Sequence, residues 1–302
     1  MKLRILGTSS AFPTKTRNHT ANLLIYSGES FLFDCGEGTQ RQIRIANENP
    51  QKISKLFISH WHGDHVLGIP GLLQSMGMNR RTNRLEIYGP KGTEEKIKSI
   101  MKAFQGDKLS YRLDIKEIAP KKVKTIFENS KYKIQSVLLT HPIPCLGYSF
   151  EEQDTVRINT EYLKKLGVKT RHPDLKSLTQ RKNAIIDGKK ISWKRATYSK
   201  KGKKFAVTID TSVCNQIVDL AKNATVFLCE ATFSNKIKDS AVKGGHMTTK
   251  EAARLGKRAK VGKLILTHFS QRYRSVKELE QEAKSVFRGP LVMAKDFMEI
   301  KF

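Results

Sequence analysis

Short apolar runs recur along the chain, and many are separated by polar stretches containing glycine, proline or asparagine. Runs rich in β-branched and aromatic residues predict strands, whereas apolar residues three and four positions apart predict helices. The predicted strands cover residues 2–6, 22–26, 30–34, 55–59, 84–88, 133–140, 204–210, 225–230 and 263–268. The predicted helices cover residues 38–47, 66–78, 93–104, 213–222, 248–259 and 276–286. This mixture of strands and helices predicts an α/β fold.

Titratable residues recur where the predicted strands end. The six positions are Asp34, His60, His141, Asp210, Glu230 and His268. In α/β folds, functional sites gather at the carboxyl ends of strands, because these ends are rigid and their loops face a shared crevice. If these six residues had only structural roles, each of them would need a separate explanation. One metal site would explain nearly all of them.

The segment ISHWHGDHVLGIPGLL, residues 58–73, contains the pattern H-x-H-x-D-H at a predicted strand-to-helix junction. Imidazole nitrogens with some carboxylate oxygen are the ligands that zinc and similar divalent metals prefer. His60 and His62 lie two residues apart and can point the same way, and Gly63 permits a sharp turn before Asp64 and His65. A lone histidine is more often structural, but this pattern specifies four positions. The four side chains could therefore face two adjacent ions.

The other histidines extend this pattern. Of the eight histidines in the chain, His141 and His268 end predicted strands and His246 precedes a predicted helix. Asp210 is a natural carboxylate to bridge two ions, since it ends a strand of its own. Two histidines remain in basic contexts, His19 and His172.

The length of 302 residues permits one large domain, 1–302, with an excursion. No apolar run approaches the roughly 18 residues of a membrane span, and the first residues resemble a strand rather than a signal peptide. We therefore expect no membrane partner and a cytoplasmic location. The four cysteines form no C-x-x-C pair, so neither a disulfide framework nor a thiolate zinc site is indicated.

The chain has 56 lysines and arginines against 28 acidic residues, and its net charge is +28. A nucleic acid is the first partner to consider for such a chain. The alternative is a solvated basic surface of the kind found in some thermophile proteins, but these usually enrich acidic residues as well. Polyanion binding is therefore the preferred interpretation.

Residues 151–203 form a charged, weakly periodic stretch, and residues 163–204 contain 15 bases and two acids. A solvated linker has no need to concentrate one sign of charge. We interpret the stretch as an inserted, protruding basic arm that binds nucleic-acid phosphates. Its few apolar residues allow a small helical hairpin but hardly a core. They are Leu163, Leu166, Leu175, Leu178, Ile185 and Ile186.

Several motifs taken together resemble the ribonuclease Z family of transfer-RNA 3′-processing endonucleases, within the metallo-β-lactamase superfamily. They are GTSSAFPTKTRN (7–18), DCGEGTQRQ (34–42), SHWHGDHVLGIPGLL (59–73), IYGPKGTEE (87–95), THPIPCLGYSFEE (140–152), CEATF (229–233), GGHMTTKEAA (244–253) and ILTHFSQRY (265–273). The resemblance covers essentially the whole chain. It implies a metallo-β-lactamase αββα sandwich, two mixed β-sheets flanked by helices, with a protruding basic arm.

The resemblance also implies two zinc ions per subunit, although manganese or another divalent metal could replace them. One ion would be held by His60, His62, His141 and Asp210, and the other by Asp64, His65, Asp210 and His268. The implied reaction is attack of a hydroxide on the phosphodiester, which leaves a 3′-hydroxyl on the transfer RNA. Asp64 would accept a proton, and His246, kept protonated by Glu230, would donate one to the departing oxygen. Asp34 would orient a ligand or serve as a buried structural acid.

The implied partner is precursor transfer RNA, bound by a homodimer. Candidate RNA-binding residues lie in the PTKTRN loop, near Tyr273 and in the basic arm, although for each residue alone a surface role is equally consistent. They are Arg17, Arg272, Lys164, Lys165, Arg171, Lys176, Arg181 and Lys182.

Three positions depart from the family pattern. Cys229 stands where the family usually has histidine, so any role of that histidine in positioning the leaving group would be lost or weakened. Ile209 replaces a frequent glycine before Asp210 and could narrow the pocket. The arm reads TRHPDLKSL where the family commonly has a Gly-Pro motif, so its RNA contacts are not transferable.

Two other functional classes stay open at this point. A hydrolase of small phosphodiesters, thioesters or lactams could have the same fold, but it would not need a strongly basic arm. A non-catalytic RNA-binding subunit could have the arm, but it would not need an intact set of candidate metal ligands.

Overall fold

The computed structural model describes residues 1–104, 108–169 and 171–302, which contain twenty strands and eleven α-helices. The strands are β1 (Lys2–Gly7), β2 (Ser9–Ser10), β3 (Ala21–Tyr26), β4 (Glu29–Phe33), β5 (Ile53–Phe57), β6 (Leu85–Gly89), β7 (Leu113–Glu117), β8 (Lys124–Glu128), β9 (Tyr132–Leu139), β10 (Cys145–Glu152), β11 (Thr155–Ile158), β12 (Ala184–Ile186), β13 (Lys189–Ile191), β14 (Thr197–Lys200), β15 (Lys204–Thr208), β16 (Val226–Glu230), β17 (Leu264–Thr267), β18 (Phe269–Ser270), β19 (Leu291–Met293) and β20 (Glu299–Lys301). The helices are α1 (Thr39–Ile45), α2 (Gly63–Val66), α3 (Ile69–Met78), α4 (Thr93–Ala103), α5 (Thr160–Lys165), α6 (Leu175–Thr179), α7 (Trp193–Ala196), α8 (Asn215–Ala221), α9 (Lys238–Gly244), α10 (Thr249–Arg258) and α11 (Lys277–Lys284).

Two seven-stranded sheets form the centre of the fold. The first has the order β20-β1-β3-β4-β5-β6-β7, and the second has the order β19-β17-β16-β15-β10-β9-β8. Both combine parallel and antiparallel pairs. In the first sheet β4 and β5 are parallel, and in the second β15, β16 and β17 are parallel. The carboxyl ends of parallel neighbours meet at one edge of a sheet, so the residues that follow these strands are brought together.

Aromatic side chains fill the space between the two sheets. The ring of Phe33 on β4 lies 5.5 Å from that of Phe205 on β15, and the ring of Phe57 on β5 lies 5.1 Å from that of Tyr148 on β10. The outer faces carry separate hydrophobic clusters beneath the helices, with α1, α3 and α4 on the first sheet and α8, α10 and α11 on the second. The predicted αββα sandwich of two mixed sheets flanked by helices is confirmed.

The predicted helix over residues 66–78 is divided into α2 and α3. At the break, the backbone N–H of Gly68 donates to the carbonyl of Cys35 at 2.9 Å. A Cβ atom at Gly68 would lie 2.2 Å from the carbonyl oxygen of Gly36, so only glycine permits this approach. The segment that begins with the metal-binding pattern is thereby fixed against the turn that follows β4.

The described chain divides into two compact units, and the second comprises residues 128–133 and 151–203. This second unit has a small hydrophobic core, formed by Leu163, Val168, Leu175, Leu178, Ile186, Ile191 and Ala196. The expectation of a helical hairpin with hardly a core was wrong, because short helices and the β12–β13 hairpin together bury these scattered residues. Thr170 lies outside the described residues, and a single domain with an inserted RNA-binding arm stays a prediction. Among the described helices, none is long and apolar enough to span a membrane.

Candidate metal centre

Three of the strand-end residues that the sequence singled out have a left-handed backbone. The φ angles are 57° at Asp34 after β4, 48° at Asp210 after β15 and 62° at His268 after β17. Such a conformation costs a non-glycine residue free energy, and it persists where the surrounding structure enforces it, frequently at functional sites. Backbone strain therefore coincides with the strand ends that the sequence singled out.

The first group of candidate ligands consists of His60, His62, His141 and Asp210, each of which offers an atom within 4.8 Å of the others. The Nε2 atom of His60 lies 2.9 Å from Nδ1 of His62 and 3.5 Å from Oδ2 of Asp210. The Nε2 atom of His141 lies 3.4 Å from the same His62 nitrogen. Three imidazole nitrogens and one carboxylate oxygen thus converge on one small volume.

The second group consists of Asp64, His65 and His268, again with donor atoms within 4.8 Å of one another. The Oδ2 atom of Asp64 lies 3.3 Å from Nε2 of His65 and 3.6 Å from Nε2 of His268. The Oδ1 atom of Asp210 lies 3.5 Å and 2.9 Å from the same two nitrogens. Asp210 therefore presents one carboxylate oxygen to each group, as a bridging ligand requires.

Three of these atoms are buried and, although the Asp210 oxygen lies 3.5 and 2.9 Å from the two nitrogens, none has a partner in hydrogen-bond geometry among the described residues. They are Nε2 of His65, Nε2 of His268 and Oδ1 of Asp210. Buried polar atoms are almost always hydrogen-bonded, and a nitrogen and oxygen donor set suits divalent metals such as zinc. Unpartnered atoms that converge in this way fit a divalent metal, and these residues are therefore the candidate ligands.

Hydrogen bonds hold the opposite ring nitrogens of the candidate ligands. Asp34 accepts from Nδ1 of His65 at 2.8 Å, and from the backbone N–H and hydroxyl of Ser59 at 2.7 and 2.8 Å. The Ser59 hydroxyl also lies 3.0 Å from Nδ1 of His60. Such contacts fix the ring orientation of metal-ligating histidines. Asp34 therefore lies where an orienting carboxylate would, and its orienting role stays a prediction.

Glu230 and His246 form a pair beside the metal groups. The fully buried Glu230 lies 3.2 Å from Nδ1 of His246 through Oε1, and the same oxygen accepts the backbone N–H of Thr211 at 2.6 Å. Burial opposes a positive charge on His246, but the Glu230 carboxylate and its hydrogen bond outweigh burial and raise the pKa of His246. Protonation of His246 is thus favoured where a proton donor was predicted.

Two contributions to the site were absent from the sequence predictions. The backbone N–H of Ala11, at a φ of 57°, donates to Oδ2 of Asp64 at 2.8 Å. The hydroxyl of Thr232 lies between Glu230 and His268, at 2.6 and 3.0 Å. A backbone donor leaves no signal in a sequence, and one threonine in a motif does not reveal its partners.

The candidate RNA-binding residues have different surroundings. The guanidinium of Arg17 donates to the carbonyls of Tyr273 and Ser270 at 2.9 and 3.2 Å, and no described residue makes a hydrogen bond with its buried Nε. Arg272 is exposed and lies 5.0 Å from the ring centre of Phe233. The arm bases are all exposed, namely Lys164, Lys165, Arg171, Lys176, Arg181 and Lys182. RNA binding by these residues stays a prediction.

Two of the three departures from the family pattern lie in well-packed positions. Cys229 is fully buried in the hydrophobic cluster beneath α8 and α10, and its sulfur accepts from the Thr208 hydroxyl at 3.6 Å. The next residue, Glu230, belongs to the metal side of the strand, because consecutive strand residues face opposite ways. The carbonyl of the buried Ile209 lies 3.4 Å from the Cys145 sulfur.

Comparisons with known proteins agree with this geometry. The chain is 36% identical to the ribonuclease Z of Protochlamydia amoebophila over 99% of this chain and 96% of that protein. It is 38% identical to the ribonuclease Z of Methanothermobacter thermautotrophicus over 95% of this chain and 92% of that protein.

A crystal structure of human tRNase Z, short form (ELAC1), matches with a TM-score of 0.74 and 28% identity, covering 100% of this chain and 99% of that chain. The metallo-β-lactamase fold protein YhfI from Bacillus subtilis matches in fold, with a TM-score of 0.69, 21% identity and coverage of 99% of this chain and 98% of that chain. The family model described as Anti-Pycsar protein Apyc1 matches residues 1–290. The chain therefore has the metallo-β-lactamase fold and belongs to the ribonuclease Z family, and its residues 1–290 also place it in the family that the Apyc1 model describes.

Proposed function

We propose that the protein is a zinc-dependent endoribonuclease that removes the 3′ trailer from precursor transfer RNA. As a member of the ribonuclease Z family, it is a metal-dependent endoribonuclease. The observation that carries the finer proposal is the convergence of buried, unpartnered donor atoms on His65, His268 and Asp210. Nitrogen donors with carboxylate oxygens favour zinc over the harder cations magnesium and calcium.

The proposed ligands are divided into two groups that share Asp210, and two ions are expected. His60, His62 and His141 complete one group, and Asp64, His65 and His268 complete the other. When bound, the ions would supply Lewis acidity at the phosphodiester and activate the attacking water.

Side chains of the protein accept and donate the protons of the reaction. Asp64 accepts a proton from the attacking water, and the Ala11 N–H holds one oxygen of its carboxylate in place. His246 faces Glu230 through Nδ1, which leaves Nε2 to donate a proton to the departing 3′ oxygen. The products are a transfer RNA with a 3′-hydroxyl and a trailer with a 5′-phosphate.

The arm of residues 151–203 is the proposed binding surface for the body of the transfer RNA. Its candidate lysines and arginines are exposed, and its segment carries most of its charge with one sign. Phosphate contacts are sequence-independent, so such an arm suits substrates that share a shape rather than a sequence. A homodimer and a cytoplasmic location remain part of this proposal.

The proposal is tested by incubating the purified protein with a 3′-extended precursor transfer RNA and zinc or manganese, and by mapping both ends of the cut. We expect cleavage at the base of the trailer with a 3′-hydroxyl on the transfer RNA. Asp64→Ala should lower kcat by about 100-fold or more and leave RNA affinity largely intact, because a proton acceptor and metal ligand is lost. Asp114→Ala, at a partly buried carboxylate that forms an ion pair with the exposed Arg84, is the matched control.

A hydrolase of small phosphodiesters is the second candidate, and the observation that favours it is that all the candidate metal ligands lie in the first unit, outside residues 151–203. Removal of residues 155–200 separates the two functions. For the endoribonuclease, RNA cleavage should collapse while hydrolysis of a chromogenic phosphodiester persists. Intact precursor transfer RNA alongside rapid hydrolysis of a small phosphodiester by the full chain would support the second candidate. A non-catalytic RNA-binding subunit would retain no divalent metal.

A further inference from the structure

We propose that Thr232 is a positioning residue, whose hydroxyl joins the candidate metal ligand His268 to the carboxylate that orients His246. This inference rests on the proposed function, since it assigns His268 to the metal and His246 to proton donation. It concerns a residue that neither contacts the reacting atoms nor supplies a ligand.

Thr232 lies between the candidate metal ligand His268 and the Glu230–His246 pair, and it is 1% exposed. Its Oγ1 atom is 2.6 Å from Oε2 of Glu230 and 3.0 Å from Nδ1 of His268. Its backbone is also held, because its carbonyl accepts the N–H of Ser270 at 3.1 Å. The hydroxyl is therefore fixed at hydrogen-bond distance from both the carboxylate of Glu230 and the ring of His268.

The direction of these hydrogen bonds follows from the surroundings of Glu230. Its Oε2 atom faces the backbone N–H groups of Met247 and Thr232, at 3.2 and 3.4 Å, and its Oε1 atom accepts from Thr211. A carboxylate enclosed by donors acts as an acceptor, so the Thr232 hydroxyl donates its single hydrogen to Glu230. Its oxygen can then only accept, and Nδ1 of His268 must donate.

This direction determines which nitrogen of His268 carries a hydrogen. With the hydrogen on Nδ1, the lone pair of Nε2 is free. Nε2 is buried 3.6 Å from Oδ2 of Asp64 and 2.9 Å from Oδ1 of Asp210, and no described residue partners it in hydrogen-bond geometry. A neutral imidazole binds a metal through the nitrogen that lacks a hydrogen. Thr232 thus presents His268 to the metal in the correct tautomer.

The same hydroxyl also positions the Glu230–His246 pair. Glu230 contacts His246 through Oε1, and the donation from Thr232 to Oε2 fixes the plane of the carboxylate. One side chain therefore couples the orientation of a metal ligand to the orientation of the proton donor. Loss of the hydroxyl should weaken metal binding and turnover together, whereas a residue that only fills space would affect neither.

Thr232→Val tests this coupling, because valine keeps the shape and removes the hydroxyl. Zinc affinity, measured by competition with a chelator in the absence of RNA, should fall by about 10–100-fold. The kcat for precursor transfer RNA should fall with it, while RNA affinity without metal stays unchanged. Thr232→Ser should restore both quantities to within about 3-fold of the unmodified protein.

Thr249→Val is the matched control, since it removes another buried threonine hydroxyl, which donates to the carbonyl of Phe233 at 3.0 Å. Its zinc affinity should equal that of the unmodified protein. If Thr232→Val does not fold, Thr232→Ser and Thr232→Ala are compared instead, with serine expected to bind zinc more tightly.

Unchanged zinc affinity in Thr232→Val, or an equal loss in the serine variant, would overturn the inference. Failure of the unmodified protein to cut precursor transfer RNA would count against the proposed function alone, because the zinc measurement needs no RNA.

Discussion

At the scale of single residues, the charge on Glu230 should set the pH range of the reaction. His246 donates only when protonated, so the rate falls as the pH rises through its pKa. Glu230 raises the pKa of His246 against the effect of burial, which extends activity to higher pH. In Glu230→Gln the charge is lost, the pKa of His246 falls, and the alkaline limb of the pH–kcat profile should move to lower pH.

The measurement for Glu230→Gln is kcat against pH at saturating RNA. Glu94→Gln, which removes an equal charge from an exposed i,i+4 pair with Lys98, should leave the limb in place. An alkaline limb at the same pH in Glu230→Gln and the unmodified protein would show that His246 is not the proton donor.

Residue spacing predicted which side chains would meet, because histidines and carboxylates are costly at strand ends unless they bind something. It did not predict how they are held. The Ala11 N–H is a backbone group, and the carbonyl of Gly245 that contacts Nδ1 of His141 at 3.0 Å is another. Such contacts depend on the path of loops distant in sequence, so they become visible only in three dimensions.

At the scale of the element, the two-residue period of β16 separates the role of Cys229 from that of Glu230. Cys229 packs in the hydrophobic cluster, so we expect the side chain at this position to make no contact with the leaving group. We expect Cys229→Ala to change kcat by less than about 2-fold and to lower the free energy of unfolding by about 1 kcal/mol.

Chemical denaturation and single-turnover cleavage measure these two effects for Cys229→Ala. Cys214→Ala, at a half-buried cysteine packed against the same cluster, is the control for both. A fall in kcat of more than about 10-fold without loss of stability would show that Cys229 contributes to catalysis.

The second unit gives an element-scale test of the arm. Leu178 is fully buried in its core, and Leu178→Ala should destabilise that core by about 2–5 kcal/mol. Limited proteolysis within residues 151–203 should accelerate, and RNA affinity should fall, while hydrolysis of a chromogenic phosphodiester continues. Ile185→Ala, at a side chain that is 69% exposed, should not accelerate proteolysis. Equal RNA affinity in Leu178→Ala would argue against the arm as a binding surface.

The sequence underestimated this core for a physical reason. Segments of three to six residues, such as β12 and α5, are too short to display a helical or strand period. The long strands and helices of the two main sheets display their periods clearly, so most were predicted to within a few residues. The strand β10 was missed although it is eight residues long, because Gly147 and the charged end of CLGYSFEE obscure its apolar run.

At the scale of the whole molecule, a net charge of +28 predicts long-range attraction to any polyanion, whereas the arm predicts where that attraction is used. The salt dependence of RNA affinity separates the contribution of the overall charge from that of the arm. The logarithm of RNA affinity should fall linearly with the logarithm of salt concentration, with a slope of about 0.7–0.9 for each phosphate neutralised. Neutralising part of the arm should therefore make the slope shallower.

The arm variant replaces four exposed bases with glutamine, namely Lys164, Lys165, Arg181 and Lys182. The matched variant removes the same charge from the first unit through the exposed Lys121, Lys122, Lys257 and Lys260. If the arm binds RNA phosphates, only the arm variant should bind RNA more weakly and show a shallower salt dependence. The salt dependence reports the counterions released at phosphate contacts, so it is insensitive to a charge removed elsewhere. Equal losses in both variants would mean that the protein attracts RNA through its overall charge, and that recognition of transfer RNA lies outside the arm.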